Sequence, residues 1–222
     1  MTQRLNLVLN TIGFLSNVYA LRNMNTGPFE NHYALGFGGQ YQYLTILGLT
    51  IATIAFTLKI IRYFIPKFST VIYEIITNIA TPLEGLISVL YWSMMLLDPH
   101  LLIPKDLPGI PLILDCTLHL FPAVFLWIDF LAFDIDFKRS NTHVGMISAF
   151  TLFYFAWSWY CQHVNGYWAY PFLAEFTLFM RIGFFVGSGL LCWGMYEIGA
   201  KIHDKIHTSH DKAKKKLTEK SL

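Results

Sequence analysis

Six apolar runs divide the chain, at 5–21, 43–65, 71–97, 110–133, 144–162 and 172–198. Each is close to the ~20 residues that a helix rising ~1.5 Å per residue needs to cross ~30 Å of hydrocarbon. Turn chemistry fills the gaps. Asn25-Thr26-Gly27-Pro28 and the glycines from Gly36 to Gly39 separate the first two runs, and Pro99, Pro104, Pro108 and Pro111 crowd the third gap. No run alternates as a barrel strand would, and no internal repeat is visible. The pattern predicts an all-α polytopic membrane protein with six transmembrane helices, organised as a membrane domain over residues 1–200 and a basic tail over 201–222.

Basic residues then orient the spans, because cytoplasmic loops retain positive charge. Arg4, Lys59, Arg62, Lys67, Lys138, Arg139 and the seven lysines after Ala200 fall on one side of a six-span arrangement, 13 of the 16 basic residues. Arg22 and Lys105 fall on the other side, and Arg181 lies within the sixth run. Both termini are therefore expected to be cytoplasmic. The first run lacks a small-residue cleavage site and is read as a retained helix.

Composition agrees. Apolar residues make up 55% of the 222 and charged residues only 14%, against about 25% charge in soluble domains. That excludes disorder, and three cysteines exclude a disulfide scaffold. Cys116, Cys161 and Cys192 lie in or at the ends of runs and are expected to be reduced thiols. A net charge of +2 without a basic aromatic patch or a phosphate-cradling glycine loop gives no case for nucleic acid.

Ionisable groups inside spans mark pairs, pathways or sites. Here they are Glu84 in the third run, Asp115 and His119 in the fourth and Arg181 in the sixth. Asp129, Glu74, Glu175 and Glu197 lie near run ends, within reach of headgroups, and are set aside. Asp115 and His119 are one helical turn apart on one face. A carboxylate there can hold one imidazole nitrogen and leave the other as a base. The plainer reading is a buried histidine satisfied by Asp115 or by a backbone carbonyl.

A nucleophile would come from another helix. Thr45 and His119 enter their runs from the same side, at depths of ~3 and ~14 Å, so both fall in one half of the bilayer. Against Thr45 stands the habit of membrane threonines to back-bond to the carbonyl four residues earlier, a habit open also to Thr50, Thr53 and Thr57. Cys116 is the other nucleophile in range, strained by sharing a helix with His119. Glu84 and Arg181 are expected to form a structural ion pair; alternatively Arg181 clamps a lipid carboxylate. His203, His207 and His210 follow at helical spacing, but a polybasic helix on the membrane surface is favoured over a zinc site. A haem bundle lacks its paired histidines. No metal or cofactor is expected.

With these residues in view, a family resemblance emerges. Gly38-Gly39-Gln40-Tyr41-Gln42-Tyr43-Leu44-Thr45 resembles the Gly-x-aromatic-Lys-Tyr-Leu-Thr stretch of the androgen-induced gene family of membrane proteins. Pro82-Leu83-Glu84 with Leu90-Tyr91-Trp92 resembles its third span, and Asp115 through Pro122 its histidine segment. His163-Val164-Asn165-Gly166-Tyr167-Trp168-Ala169-Tyr170-Pro171-Phe172-Leu173 resembles its most specific loop, and Arg181 is matched in the last span. The similarity covers nearly the whole chain, from Gly13 to Ile198.

The resemblance implies an intramembrane threonine hydrolase that cleaves the internal ester of fatty acid esters of hydroxy fatty acids. It places the nucleophile at Thr45 and the catalytic histidine at His119. Asp115, Glu84, Arg181, His163 and Tyr43 are the orienting or substrate-binding candidates. Tyr43, Tyr91, Ser88 and the Gln162 amide are candidate oxyanion donors. Two departures stand out: Gln42 where the family has lysine, and Asp115 where relatives carry asparagine. The expected partner is a lipid substrate entering from the bilayer, and the expected location is the endoplasmic reticulum or another endomembrane, with the plasma membrane open. The competing classes are a non-enzymatic lipid-binding or scaffold protein and a small proton-coupled transporter, the latter weakened by the missing repeat.

Overall fold

A computed structural model describes residues 2–24, 36–66, 68, 70–103, 105, 109–135 and 137–220, with side chains through 208. The turn at 25–28, Pro104, Pro108, Lys67, and the side chains of His210 and the later tail lysines lie outside the described residues. All regular structure among them is helical. The helices are α1 (Thr2–Asn23), α2 (Leu44–Phe64), α3 (Thr70–Leu97), α4 (Leu112–His119), α5 (Phe121–Ala132), α6 (Asn141–Asn165), α7 (Pro171–Glu175) and α8 (Leu178–Lys220). Single 3-10 turns at Gly39–Gln42 and Pro99–Leu101 lead into α2 and follow α3.

Among the described residues, four helices are long and apolar enough to span a membrane: α2, α3, α6 and the 178–208 part of α8. The pair α4 and α5, bent by 42°, makes a fifth if it is one broken span. The bend has a local cause. Pro122 has no N–H for the Leu118 carbonyl and its ring crowds the preceding turn, so the chain leaves helical geometry at Leu120 (φ −124°, ψ −54°). Thus the fourth predicted run is two helices, and His119 is the last residue before the break. The first run is a helix of sufficient length, 22 residues, but does not reach the apolarity of the others.

The shortfall in α1 comes from its inner face. Asn10 and Asn17 are fully buried there, while Leu5, Val8, Ile12, Leu15 and Tyr19 form a stripe at helical spacing on the exposed face. α1 runs antiparallel to α2. Asn6 and Asn10 each donate to Asp129 Oδ1 at 2.7 Å, and Asn17 donates to Thr53 Oγ1 at 3.2 Å. Ala20 and Met24 then pack with Ile46 and Leu49. Gly13 allows the close approach, since a Cβ there would come within 2.5 Å of the Phe56 ring.

Asp129 is therefore no headgroup-facing residue. It is 1% exposed, ion-paired to buried Lys59, and receives both α1 asparagines, so it ties α1, α2 and α5 together. α8 continues through residue 200 without interruption, and His203 and His207 direct Nε2 to the carbonyls of Asp134 (2.5 Å) and Leu131 (3.2 Å) at the end of α5.

One end of the bundle, here the head, is where α2, α4 and α8 begin and where α3 and α6 finish. A strap over residues 36–43 crosses it before entering α2. Asn165, the last residue of α6, accepts from the Phe37 N–H (2.6 Å) and donates to the Phe37 carbonyl (3.0 Å) and to Gln42 Oε1 (3.1 Å). Trp157 and Tyr154 on α6 donate to the carbonyls of Tyr41 (2.7 Å) and Gln42 (3.1 Å). Buried Gln42 also donates to Gly39 O at 2.9 Å. The two segments most specific in sequence, the strap and the loop after α6, are thus held against each other.

Candidate active site

Thr45 occupies the first turn of α2, and this position frees its hydroxyl. Thr50, Thr53 and Thr57 each bond to the carbonyl four residues earlier, at 2.7, 2.6 and 2.8 Å. For Thr45 that carbonyl belongs to Tyr41, in the 3-10 turn, and it is taken by the Trp157 indole. The start of a helix also carries the positive end of its dipole, which favours a developing negative charge. Tyr170 completes the turn. Its hydroxyl accepts from the Leu44 N–H at 3.0 Å and comes close to the hydroxyl and N–H of Thr45.

His119 is buried, with Nδ1 2.8 Å from Asp115 Oδ1, as the one-turn spacing predicts. Its ring lies flat on Tyr91, centroids 3.4 Å apart and planes within 3°. Held by the carboxylate through Nδ1 and by the tyrosine face, the imidazole leaves Nε2 as the nitrogen available for proton transfer.

Two apolar cavities meet at Thr45. The first encloses about 860 Å³ of empty space and the second about 680 Å³, both partly open to the surroundings. Thr45, Tyr91, Leu102 and Tyr170 line both, so they form the junction. His119 lines the second only, together with Tyr43, whose ring meets Tyr170 edge to face at 5.5 Å. Their lining, largely apolar with a few convergent polar groups, has the chemistry of small-molecule sites.

The remaining candidates lie elsewhere. Glu84 and Arg181 do not pair. Arg181 sits on the first turn of α8, donating to the carbonyls of Leu173 (2.8 Å) and Ala174 (3.3 Å) and lying over Trp168 at 4.8 Å. It binds α7 to α8 and lines neither cavity. Glu84 is 1% exposed without an ion-pair partner among the described residues; its Oε1 is unbonded and faces Gly48, one turn beyond Thr45. His163 is exposed on a shallow outer groove with Trp159 and Leu178. Of the oxyanion candidates, Tyr43 and Tyr91 reach the second cavity, whereas Ser88 and Gln162 reach neither, nor does Cys116. Tyr170 carried no assigned role in the sequence, though it stood inside the most specific loop; the Tyr-Pro-Phe-Leu run was its signal.

Comparison with known proteins bears on this arrangement. A model of the FAR-17a/AIG1-like proteins matches residues 5–204. The chain belongs to the FAR-17a/AIG1-like family. Among its relatives, a UPF0641 membrane protein of Schizosaccharomyces pombe is 27% identical over 88% of this chain and 89% of its own length. The androgen-induced gene 1 protein of Homo sapiens is 22% identical over 90% of each chain. The human androgen-dependent TFPI-regulating protein is 22% identical over 76% of this chain and 78% of its own. No solved structure is significantly similar. As a FAR-17a/AIG1-like protein with several apolar helices of spanning length, the chain is an integral membrane protein.

Proposed function

We propose that the protein is an intramembrane hydrolase that cleaves the internal ester of fatty acid esters of hydroxy fatty acids, with Thr45 as nucleophile and His119 as general base and acid. The observation that carries this reading is the position of Thr45, whose hydroxyl escapes helix back-bonding at the junction of two apolar cavities, one of them lined by a histidine held through Nδ1. An ester joining two hydrocarbon pieces fits a junction between two apolar chambers.

The steps balance as follows. His119 Nε2 takes the Thr45 proton while Oγ1 bonds to the ester carbonyl carbon. The carbonyl electron pair moves to oxygen, near the positive end of the α2 dipole, where a tyrosine hydroxyl, Tyr170 or Tyr43, offers a hydrogen bond. On collapse the bond to the hydroxy acid's oxygen breaks, and that oxygen takes the proton from Nε2. Water then gives a proton to Nε2, its oxygen attacks the acyl-threonine, and Oγ1 leaves with the proton. Asp115 fixes the imidazole and stabilises its cationic form throughout.

The reading includes topology. α1 is a sixth span, because Asn6, Asn10 and Asn17 donate to Asp129 and Thr53 inside the bundle and its outward stripe is apolar, as a lipid-facing helix requires. Both termini then face the cytoplasm, in an endomembrane. Epitope tags at each end, probed after selective permeabilisation of the plasma membrane, both become accessible under this topology.

Hydrolysis of a palmitoyl ester of hydroxystearic acid by purified protein tests the activity. Wild type and Thr45→Ser release both products and Thr45→Ala releases neither. Equal turnover by wild type and Thr45→Ala would refute the nucleophile. No turnover by wild type would favour a lipid-binding or scaffold protein.

A further inference from the structure

The two cavities differ in where they lead, and that difference orients the substrate. From the junction the first cavity runs away from the head. Its lining descends α3 from Tyr91 to Ile79, about 18 Å of helix, and α8 from Phe184 to Cys192, about 12 Å. It ends among Ile79, Ile147 and Cys192, all buried in the apolar cluster that closes the opposite half of the bundle. No charged residue lines it. The second cavity runs the other way. Met24, Gln40, Ile103 and Ile110 line it, all of them outside the helices at the head end.

We infer that the first cavity holds the acyl chain that becomes attached to Thr45, that its floor at Ile79, Ile147 and Cys192 measures that chain, and that the second cavity holds the hydroxy acid. Two independent observations agree. A free carboxylate is costly in hydrocarbon, and the hydroxy acid carries it; beyond the junction residues Leu102 and Tyr170, it is the second cavity whose lining continues into the head loops, at Met24, Gln40, Ile103 and Ile110, where water can solvate the charge. The leaving oxygen must also take its proton from His119, which lines the second cavity and not the first. The acyl-threonine then keeps its methyl end among the apolar side chains at the floor of the first cavity while the hydroxy acid departs toward the head and water follows in by the same route. The depth of the first cavity, 12–18 Å, is about half of the ~30 Å hydrocarbon thickness, the space one acyl chain occupies in a leaflet.

This inference rests on the hydrolase reading, and its test separates the two. Octanoyl and palmitoyl esters of one hydroxy acid are compared in wild type, Cys192→Phe, which raises the floor, and Ile147→Ala, which lowers it. The octanoyl-to-palmitoyl ratio of kcat/KM is expected to rise about tenfold or more in Cys192→Phe and to fall in Ile147→Ala, since a few methylenes gained or lost are worth at least that much. Varying the hydroxy acid under a fixed acyl group should leave the variants' preferences as in wild type. Ratios that follow the hydroxy acid, or that stay constant in both folded variants, would overturn the assignment. Should wild type cleave no ester, the hydrolase reading falls, and cross-linking with a fatty acid bearing a terminal diazirine judges the cavity alone. Adducts near 147 and 192 support it, and adducts confined to the neighbourhood of Gln40 and Ile103 overturn it.

Discussion

The Nδ1 atom of His119 lies 2.8 Å from Asp115 Oδ1, one turn back on α4 and just before the helix breaks at Leu120. The carboxylate selects the tautomer that presents Nε2, and the break ends α4 at the edge of the cavity that Thr45 shares. Irregular backbone at membrane depth is tolerated where it lines a cavity, and here it does.

Replacing Asp115 separates its two contributions. Asp115→Ala removes both orientation and charge, and kcat should fall by about 10²-fold, within the usual reach of acid–base catalysis. Asp115→Asn keeps an acceptor for Nδ1 and should lose less. Steady-state hydrolysis of one ester by both variants checks the order; equal losses would contradict it.

Tyr170→Phe deletes a hydroxyl that accepts from the Leu44 N–H beside Thr45. Melting should cost no more than ~1–3 kcal/mol, the penalty of one unsatisfied buried group. Turnover should fall by about 10-fold or more if the hydroxyl also supports the oxyanion. Melting and turnover of the same preparation distinguish a local effect from unfolding.

The strap depends on Gly36. Its φ is +77°, and a Cβ there would lie 2.5 Å from the Tyr167 hydroxyl and 2.6 Å from Asn165 Oδ1. Gly36→Ala combines left-handed backbone strain with a clash and should destabilise by ~1–3 kcal/mol. Because the strap leads directly into Thr45, turnover should fall as well. Thermal unfolding beside an activity assay measures both.

Lys59 and Asp129 form a buried pair at the far end of the bundle from Thr45. Lys59→Ala leaves the carboxylate without its cation and should cost ~3–5 kcal/mol. The double variant Lys59→Met with Asp129→Leu should recover a large part of that loss, since a well-packed apolar pair often substitutes for a buried ion pair. Unfolding measurements on single and double variants decide it; a double variant no better than the single would contradict the account.

The sequence made the helical architecture legible because span length is a local property: the apolar runs became helices over nearly their whole extent. Asp115 and His119 were equally legible, since four residues along one helix define a contact. Thr45 and His119 could be matched in depth because the second and fourth runs start from the same side, and both residues line one cavity. Counting depth along a helix says nothing about which way a side chain faces: Asp129 lies near a helix end yet turns inward to Lys59. Arg181 and Glu84 differ in depth instead, because the sixth run is broken and α8 starts only at Leu178, which puts Arg181 on its first turn, whereas Gly85 beside Glu84 is level with Met195. The polarity of α1 was masked as well, as Asn6, Asn10 and Asn17 share its inner face. Tyr170 reaches Leu44 across 126 positions of sequence, a relationship no local pattern encodes.

The most direct test of the central claim is labelling of purified protein with a fluorophosphonate lipid probe, followed by mapping of the adduct in wild type, Thr45→Ala and His119→Ala. A nucleophilic Thr45 activated by His119 predicts an adduct on Thr45 in wild type and no labelling in either folded variant. Labelling of folded Thr45→Ala at the wild-type rate would contradict it.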